Sequence, residues 1–108
     1  MAFLMDDYVT GTLMRDLVGH DRRPVSFLVY LWLAAEQARR KRDVQASYFE
    51  IAENTGISKS SVQAAVAWLV RRGLLAARRD HATAAPHYRA LTPWRKDTRK
   101  RPSPRRAG

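Results

Sequence analysis

Lys59, Ser60, Ser61 and Gln63 fall within little more than one helical turn, and each carries hydrogen-bonding groups on a short stretch of backbone. Their chemistry suits the edges of nucleic-acid bases. A glutamine amide can pair bidentately with adenine, a lysine ammonium can donate to guanine, and a serine hydroxyl plays either part. Ala64 and Ala67 follow on the same side of a helix, small enough to permit close approach and to meet a thymine methyl. Arg71 stands too far along to read a base and is expected on phosphate. Arg78, Arg79 and His81 come after a glycine break, placed for phosphates or an adjacent minor groove. With Ser58, which caps the helix, these residues are the candidate DNA-contacting set.

Catalytic chemistry has no comparable gathering. His20, His81 and His87 lie in three unrelated contexts without metal-ligand spacing. The chain contains no nucleophile elbow, phosphate-binding loop or His-Glu-x-x-His pattern. Its carboxylates cluster only as Asp6-Asp7 and Glu50/Glu53, and a solvated face accounts for both. There are no cysteines, which excludes a disulfide scaffold and a thiolate zinc site. No catalytic residue, metal or cofactor is expected, and the chain does not read as an enzyme.

The elements that must position the candidate set run from Ser47 to Leu75, SYFEIAENTGISKSSVQAAVAWLVRRGLL. Ser47 and Glu50 have the spacing of a capping box, so a helix starts there. Tyr48, Ile51 and Ala52 then share one face. Gly56 stands where a left-handed residue ends a helix, Ile57 plugs the turn, and Ser58 caps a second helix. In that helix Val62, Ala65, Val66, Leu69 and Val70 form an apolar stripe, opposite Ser60, Gln63, Ala64, Ala67 and Arg71. Ala52 and Ala65 are small where the two helices should cross. Gly73 stops the second helix after Arg71-Arg72, cations that favour a helix C-terminus.

The run Ile51-Ala52-x3-Gly56-Ile57-Ser58-x3-Val62-x2-Ala65-Val66-x2-Leu69-x3-Gly73-Leu74-Leu75 resembles the winged helix-turn-helix of GntR- and MarR-type bacterial regulators. It is especially similar to the small stand-alone helix-turn-helix domains of phage, plasmid-replication and mobile-element proteins. The resemblance covers roughly residues 24–92 and is specific for fold and DNA binding, weak for subfamily. It implies a mainly α chain with a small β-hairpin wing (α+β), three core helices and an N-terminal helix or arm. The second helix would enter the major groove. The pattern includes no effector-binding domain, so the resemblance implies no small-molecule ligand.

Length and charge agree with one domain and its tails: 108 residues, 45% hydrophobic, and a net charge of +10. The excess is unevenly placed. Residues 43–57 hold only Asp43, Glu50 and Glu53, whereas 58–80 hold Lys59, Arg71, Arg72, Arg78 and Arg79 against Asp80. A polyanion is therefore expected on the side of the second helix. The longest apolar run, Val25 to Ala35, is too short for a bilayer, so no membrane association is expected. The lack of cysteine fits a reducing compartment, and a cytoplasmic location is expected, the bacterial nucleoid or a host cytoplasm if phage-encoded.

Three segments are expected: an N-terminal arm or short helix over 1–23, the DNA-binding domain over 24–93, and a basic tail over 94–108. Leu13, Met14, Leu17 and Val18 have helical spacing before Gly19. That piece covers the domain, reaches a second subunit, or simply packs on its own core. From Pro24 to about Arg40 the pattern is apolar nearly all round. Phe27, Leu28, Leu31, Trp32 and Ala35 form its stripe, with Val29, Tyr30 and Leu33 on the flanks. Such a surplus points to a homodimer through the arm and the 24–40 helix, or to a central helix wrapped by the arm. Arg39-Arg40-Lys41-Arg42 is a solvated helix end or a phosphate contact, and Asp43 to Ala46 a short strand.

Leu74 to Arg79 and His87 to Thr92 read as the two strands of the wing, joined by a loop over 80–86, with Tyr88 packed on the second helix. Trp68 sits off the stripe, beside Ser61 and Arg72, as a flank contact to a neighbouring element rather than an exposed anchor. The tail, with two prolines and seven basic residues beyond Trp94, is expected to be disordered when free and to touch phosphates.

The reading that results is a sequence-specific double-stranded DNA-binding protein, a small repressor acting as a symmetric dimer. A replication- or partition-initiator module of a plasmid or phage has the same residues. A protein-interaction winged helix, working through Trp32, Trp68 and the arm, is the contender from another class.

Overall fold

A computed structural model describes residues 5–95. Helix α1 spans Pro24–Arg40, β1 Val44–Gln45, α2 Tyr48–Thr55, α3 Lys59–Arg71, β2 Leu75–Arg78 and β3 His87–Ala90. Two stretches of wide, π-type turns precede them, Val9–Leu13 and Arg15–His20. The architecture is α+β: helices around a small antiparallel sheet whose strand order is β1-β3-β2. The basic tail expected from Trp94 onward lies, past Arg95, outside the described residues.

Local chemistry explains each boundary. Pro24 opens α1, where a missing N–H costs nothing. Lys41 ends it in the left-handed region at φ 59°, its N–H on the Gln37 carbonyl at 2.8 Å. At the start of α2 the Glu50 N–H donates to Ser47 Oγ at 3.1 Å, and the Ser47 N–H donates to Glu50 Oε1 at 2.9 Å. Gly56 closes that helix at φ 78°, a conformation that glycine adopts without steric cost. Ser58 Oγ accepts from the Ser61 N–H at 3.2 Å and starts α3. Gly73, at φ 74°, turns the chain into β2.

The core joins all of these elements. Val62, Ala65, Val66 and Leu69 of α3 are buried with Phe27, Val29, Tyr30 and Leu33 of α1, and with Ile51, Leu74, Leu75, Tyr88 and Ala90. In the sheet Leu75 faces Ala90 and Val44 faces Tyr88 across β3. Tyr30 anchors the exit from β3 by donating its hydroxyl to the Leu91 carbonyl at 2.8 Å. Gln37 does the same inside it, accepting from the Ala90 N–H at 2.7 Å.

Two expectations need correction, and one left open is decided. The inward face of α1 keeps Phe27 from the expected stripe but is otherwise made by Val29, Tyr30 and Leu33, each at most 1% exposed, whereas Leu28 is 49% exposed. The helix is turned from the expected stripe because it is covered on more than one side, so apolarity alone did not fix its phase. Val70 does not continue the α3 stripe; it lies at the exposed edge near the hairpin. The N-terminal piece packs on its own core: Val9, Leu13 and Leu17, spaced by four, all point inward.

That piece is tied down at its start by a clasp. Asp6 Oδ2 accepts from Trp94 Nε1 at 3.0 Å and Arg95 Nε at 2.7 Å, and Asp6 Oδ1 accepts from the Tyr8 N–H at 2.9 Å. The Tyr8 and Trp94 rings stack at 4.5 Å. The Trp94 hydrogen bond, with the Tyr8 N–H and Arg95, holds the Asp6 carboxyl down at about 2.

Two measurements follow. Leu17→Ala should cost about 2–5 kcal/mol in denaturant unfolding, as for a truncation in a packed core; a loss below about 0.5 kcal/mol would make the N-terminal piece peripheral. The clasp should be lost in acid. Because the folded Asp6 value lies below the unfolded one of about 4, its stabilisation is complete above that pH and falls away toward pH 2. The gap in melting temperature between the wild type and Asp6→Asn should close over that range. A gap independent of pH would mean that the charge of Asp6 is not what holds the clasp.

Candidate nucleic-acid interface

Because α3 buries Val62, Ala65, Val66 and Leu69, its other side must face out. Ser58, Lys59, Ser60, Gln63, Ala64, Ala67 and Arg71 are exposed, and Ser61 is half-buried. The first turn is organised by its own hydroxyls: Ser58 Oγ donates to Ser61 Oγ at 2.8 Å and lies 3.4 Å from Ser60 Oγ. No ion pair reaches Lys59 among the described residues. The start of α3 therefore presents a free ammonium, an amide and hydroxyls at the positive end of a helix.

The second half of α3 forms one wall of a groove of about 640 Å³ whose other wall is the β2–β3 hairpin. Arg71, Arg78 and Arg79 line it, over a floor that includes Tyr48, Val70 and Tyr88. Burial among these neighbours pushes the Tyr88 hydroxyl well above the usual tyrosine range. Tyr88 thus lines the same groove as α3, and three guanidinium groups border one opening.

The hairpin arginines are less free than their sequence implies. Arg78 pairs with Asp80 at 2.7 Å, and the same carboxylate meets His87 Nε2 at 3.0 Å. The His87 hydrogen bond, with Arg78 adding to it, holds the Asp80 carboxyl below its usual range. Arg79 donates to the Ala84 carbonyl at 2.8 Å, and His81 Nδ1 lies 3.1 Å from Thr83 Oγ1. These contacts shape the loop, yet Arg78, Arg79 and His81 all remain exposed. Exposed ion pairs of this kind are worth little and exchange readily for a phosphate.

Trp68 is a flank contact. Its Nε1 donates to Asp21 Oδ2 at 3.3 Å, beside Arg72 Nε at 3.0 Å on the same oxygen. The Arg23 guanidinium lies over its ring at 4.3 Å. His20 and Arg72 keep the Asp21 carboxyl below its ordinary range, the His20 hydrogen bond contributing most. Asp21, Arg22 and Arg23 are not among the residues that sequence pattern singles out. Their one signal was a charged triplet ahead of a helix-starting proline.

The basic run closing α1 divides in two. Arg39 and Arg40 both pair with Glu36, whereas Lys41 and Arg42 are exposed and unpaired among the described residues. Among those residues no group of His, Cys, Asp or Glu is placed to hold a metal ion, and no helix is long and apolar enough to cross a membrane. Comparison with family models, curated proteins and solved structures returns no match to this chain.

The cap of α3 separates structural from contact roles. Ser58→Ala should destabilise the fold by about 1 kcal/mol in urea unfolding, the usual cost of a lost serine cap. Unchanged stability would show that the Ser58 hydroxyl does not hold the helix start.

Proposed function

We propose that this chain is a sequence-specific double-stranded DNA-binding regulator of the winged helix-turn-helix type. In this reading α2 and α3 are the helix pair, the β2–β3 hairpin is the wing, and α3 lies in the major groove. The observation that carries it is the outward face of α3. It is exposed, led by an unpaired Lys59, and continuous with a groove holding Arg71, Arg78 and Arg79.

Lys59, Ser60, Ser61 and Gln63 meet base edges or flanking phosphates, with Ala64 and Ala67 allowing close approach. Arg71, Arg78, Arg79 and His81 hold the backbone. Few of these groups read a base bidentately, so each half-site is read modestly and much affinity comes from charge. A homodimer on an inverted repeat supplies the missing specificity. The N-terminal piece, folded inward through Val9, Leu13 and Leu17, leaves Met14 and Val18 outside, and α1 leaves Leu28, to meet the second subunit. In this reading the regulator acts as a repressor, occluding a promoter. Trp68 is taken up by Asp21 and Arg23, which removes the main anchor of a protein-interaction surface.

Exchanging both base-reading side chains tests the assignment. The double variant Lys59→Ala, Gln63→Ala should keep low-salt binding to mixed duplex but lose its preference for the sequence selected by the wild type. Each lost bidentate contact should cost about 1–3 kcal/mol of discrimination, read by competition between selected and scrambled duplexes. Intact preference in the variant would sink the assignment of α3.

A further inference from the structure

Between the start of α1 and the side of α3 lies a cleft of about 320 Å³, bordered by Arg22, Arg23 and Ser26 on one side and Ser61 and Ala64 on the other. We infer that this cleft is a binding site for a backbone phosphodiester, clamping the DNA strand that runs past the start of α3. The inference rests on the DNA-binding reading and adds to it a site on an element outside the helix pair.

The donors are already in place. Helix α1 is 17 residues long, and no side chain caps its N-terminus. Pro24 has no N–H, and the Phe27 N–H is the first in the helix to find a carbonyl, that of Arg23 at 3.3 Å. The N–H groups of Val25 and Ser26 are left over, at the end where the helix dipole is positive.

Ser26 supplies the independent observation. Among the described residues it is the one buried polar residue, 2% exposed, and its hydroxyl has no hydrogen-bond partner there. A buried hydroxyl without a partner is costly, and such groups in native folds call for a ligand or an ion. The cleft is the opening that Ser26 borders.

Charge favours an anion there. Arg22 forms no ion pair among the described residues and holds a left-handed backbone, φ 55°, unusual for a residue with a side chain. The Arg23 guanidinium lies over the Trp68 ring at 4.3 Å and forms no ion pair among the described residues. The cleft also contains the Asp21 carboxylate, whose oxygens are already engaged by Trp68, Arg72 and His20. Two arginines without an ion pair among the described residues therefore border the space, with one acid already engaged.

Position selects a phosphodiester over a free anion. Ser61 and Ala64 belong both to this cleft and to the outward face of α3. A phosphate held here is therefore next to any duplex docked on α3.

The test compares the full-length wild type with Arg22→Gln and Ser26→Ala in duplex titrations at several salt concentrations. Arg22→Gln should weaken binding alike on selected and scrambled duplexes and lower the salt slope by about 0.9, the value for one phosphate contact. Ser26→Ala should weaken binding roughly fivefold without lowering the melting temperature, since the hydroxyl it removes supports nothing in the fold. Placing a single neutral methylphosphonate along the duplex should reveal one position per half-site at which wild type and Arg22→Gln bind equally. If the wild type binds duplex while both variants keep its affinity and slope, the clamp is overturned and the DNA-binding reading stands. Competition by inorganic phosphate at Arg22 with no change in duplex binding would also overturn it. If the wild type binds no duplex near 50 mM salt, both readings fall.

Discussion

The contact between α3 and α1 decides more than stability. An amphipathic helix has one rotation about its axis that removes its apolar stripe from water, and a rotation of one residue, about 100°, would bury polar groups instead. Burying Val62, Ala65, Val66 and Leu69 against α1 leaves no freedom over which residues face outward. Gln63, Ala64, Ala67 and Arg71 are where they are because of what lies beneath them. Ala65, 2% exposed, has no side chain long enough to hold the helices apart. The Ser58 cap then fixes where the first turn begins, so the same packing that makes the core also sets Lys59 and Gln63 in their places.

Ion pairing converts a diffuse net charge into a directed one. Asp6, Asp21, Glu36, Asp43 and Asp80 each meet an arginine or histidine. Those acids cancel the cations nearest to them and leave others bare. Lys59 and Arg71, together with Lys41 and Arg42, stay unpaired among the described residues. Glu50 is spent in capping α2, on the far side of the turn from Lys59. The formal charge of +10 thus understates the asymmetry a polyanion would meet.

What the sequence made legible was short-range. The capping box at Ser47 and Glu50, the left-handed glycine at position 56, the cap at Ser58 and the α3 stripe each depend on residues within a turn of one another. The α3 face could be read because polar and apolar residues alternate with a clear period. The α1 face could not: with Phe27, Leu28, Val29, Tyr30, Leu31, Trp32 and Leu33 consecutive, every rotation buries something apolar. Packing on two sides then chose Val29, Tyr30 and Leu33. Val70 was misplaced for a related reason, since the stripe narrows where α3 leaves α1 for the hairpin. The partners of Arg78 and Arg79 escaped because loop geometry brings Asp80 and Ala84 round to them, with His87 on the same Asp80 carboxylate.

The N-terminal piece shows the same limit at longer range, and why it bears on the site. It is fastened at both ends by one device: an aspartate that accepts from an indole N–H and an arginine Nε. At Asp6 the donors are Trp94 and Arg95, and at Asp21 they are Trp68 and Arg72. Between the two straps Val9, Leu13 and Leu17 sink into the core. No local pattern announces a pairing between residues 47 to 89 positions apart. Yet its consequence is local. The second strap ends at the flank of α3, and the chain must then turn sharply through Arg22 to begin α1. The turn is set between two buried residues, Leu17 before it and Phe27 after it, and Arg23 reaches α3 through the face of Trp68, 4.3 Å from the ring centre.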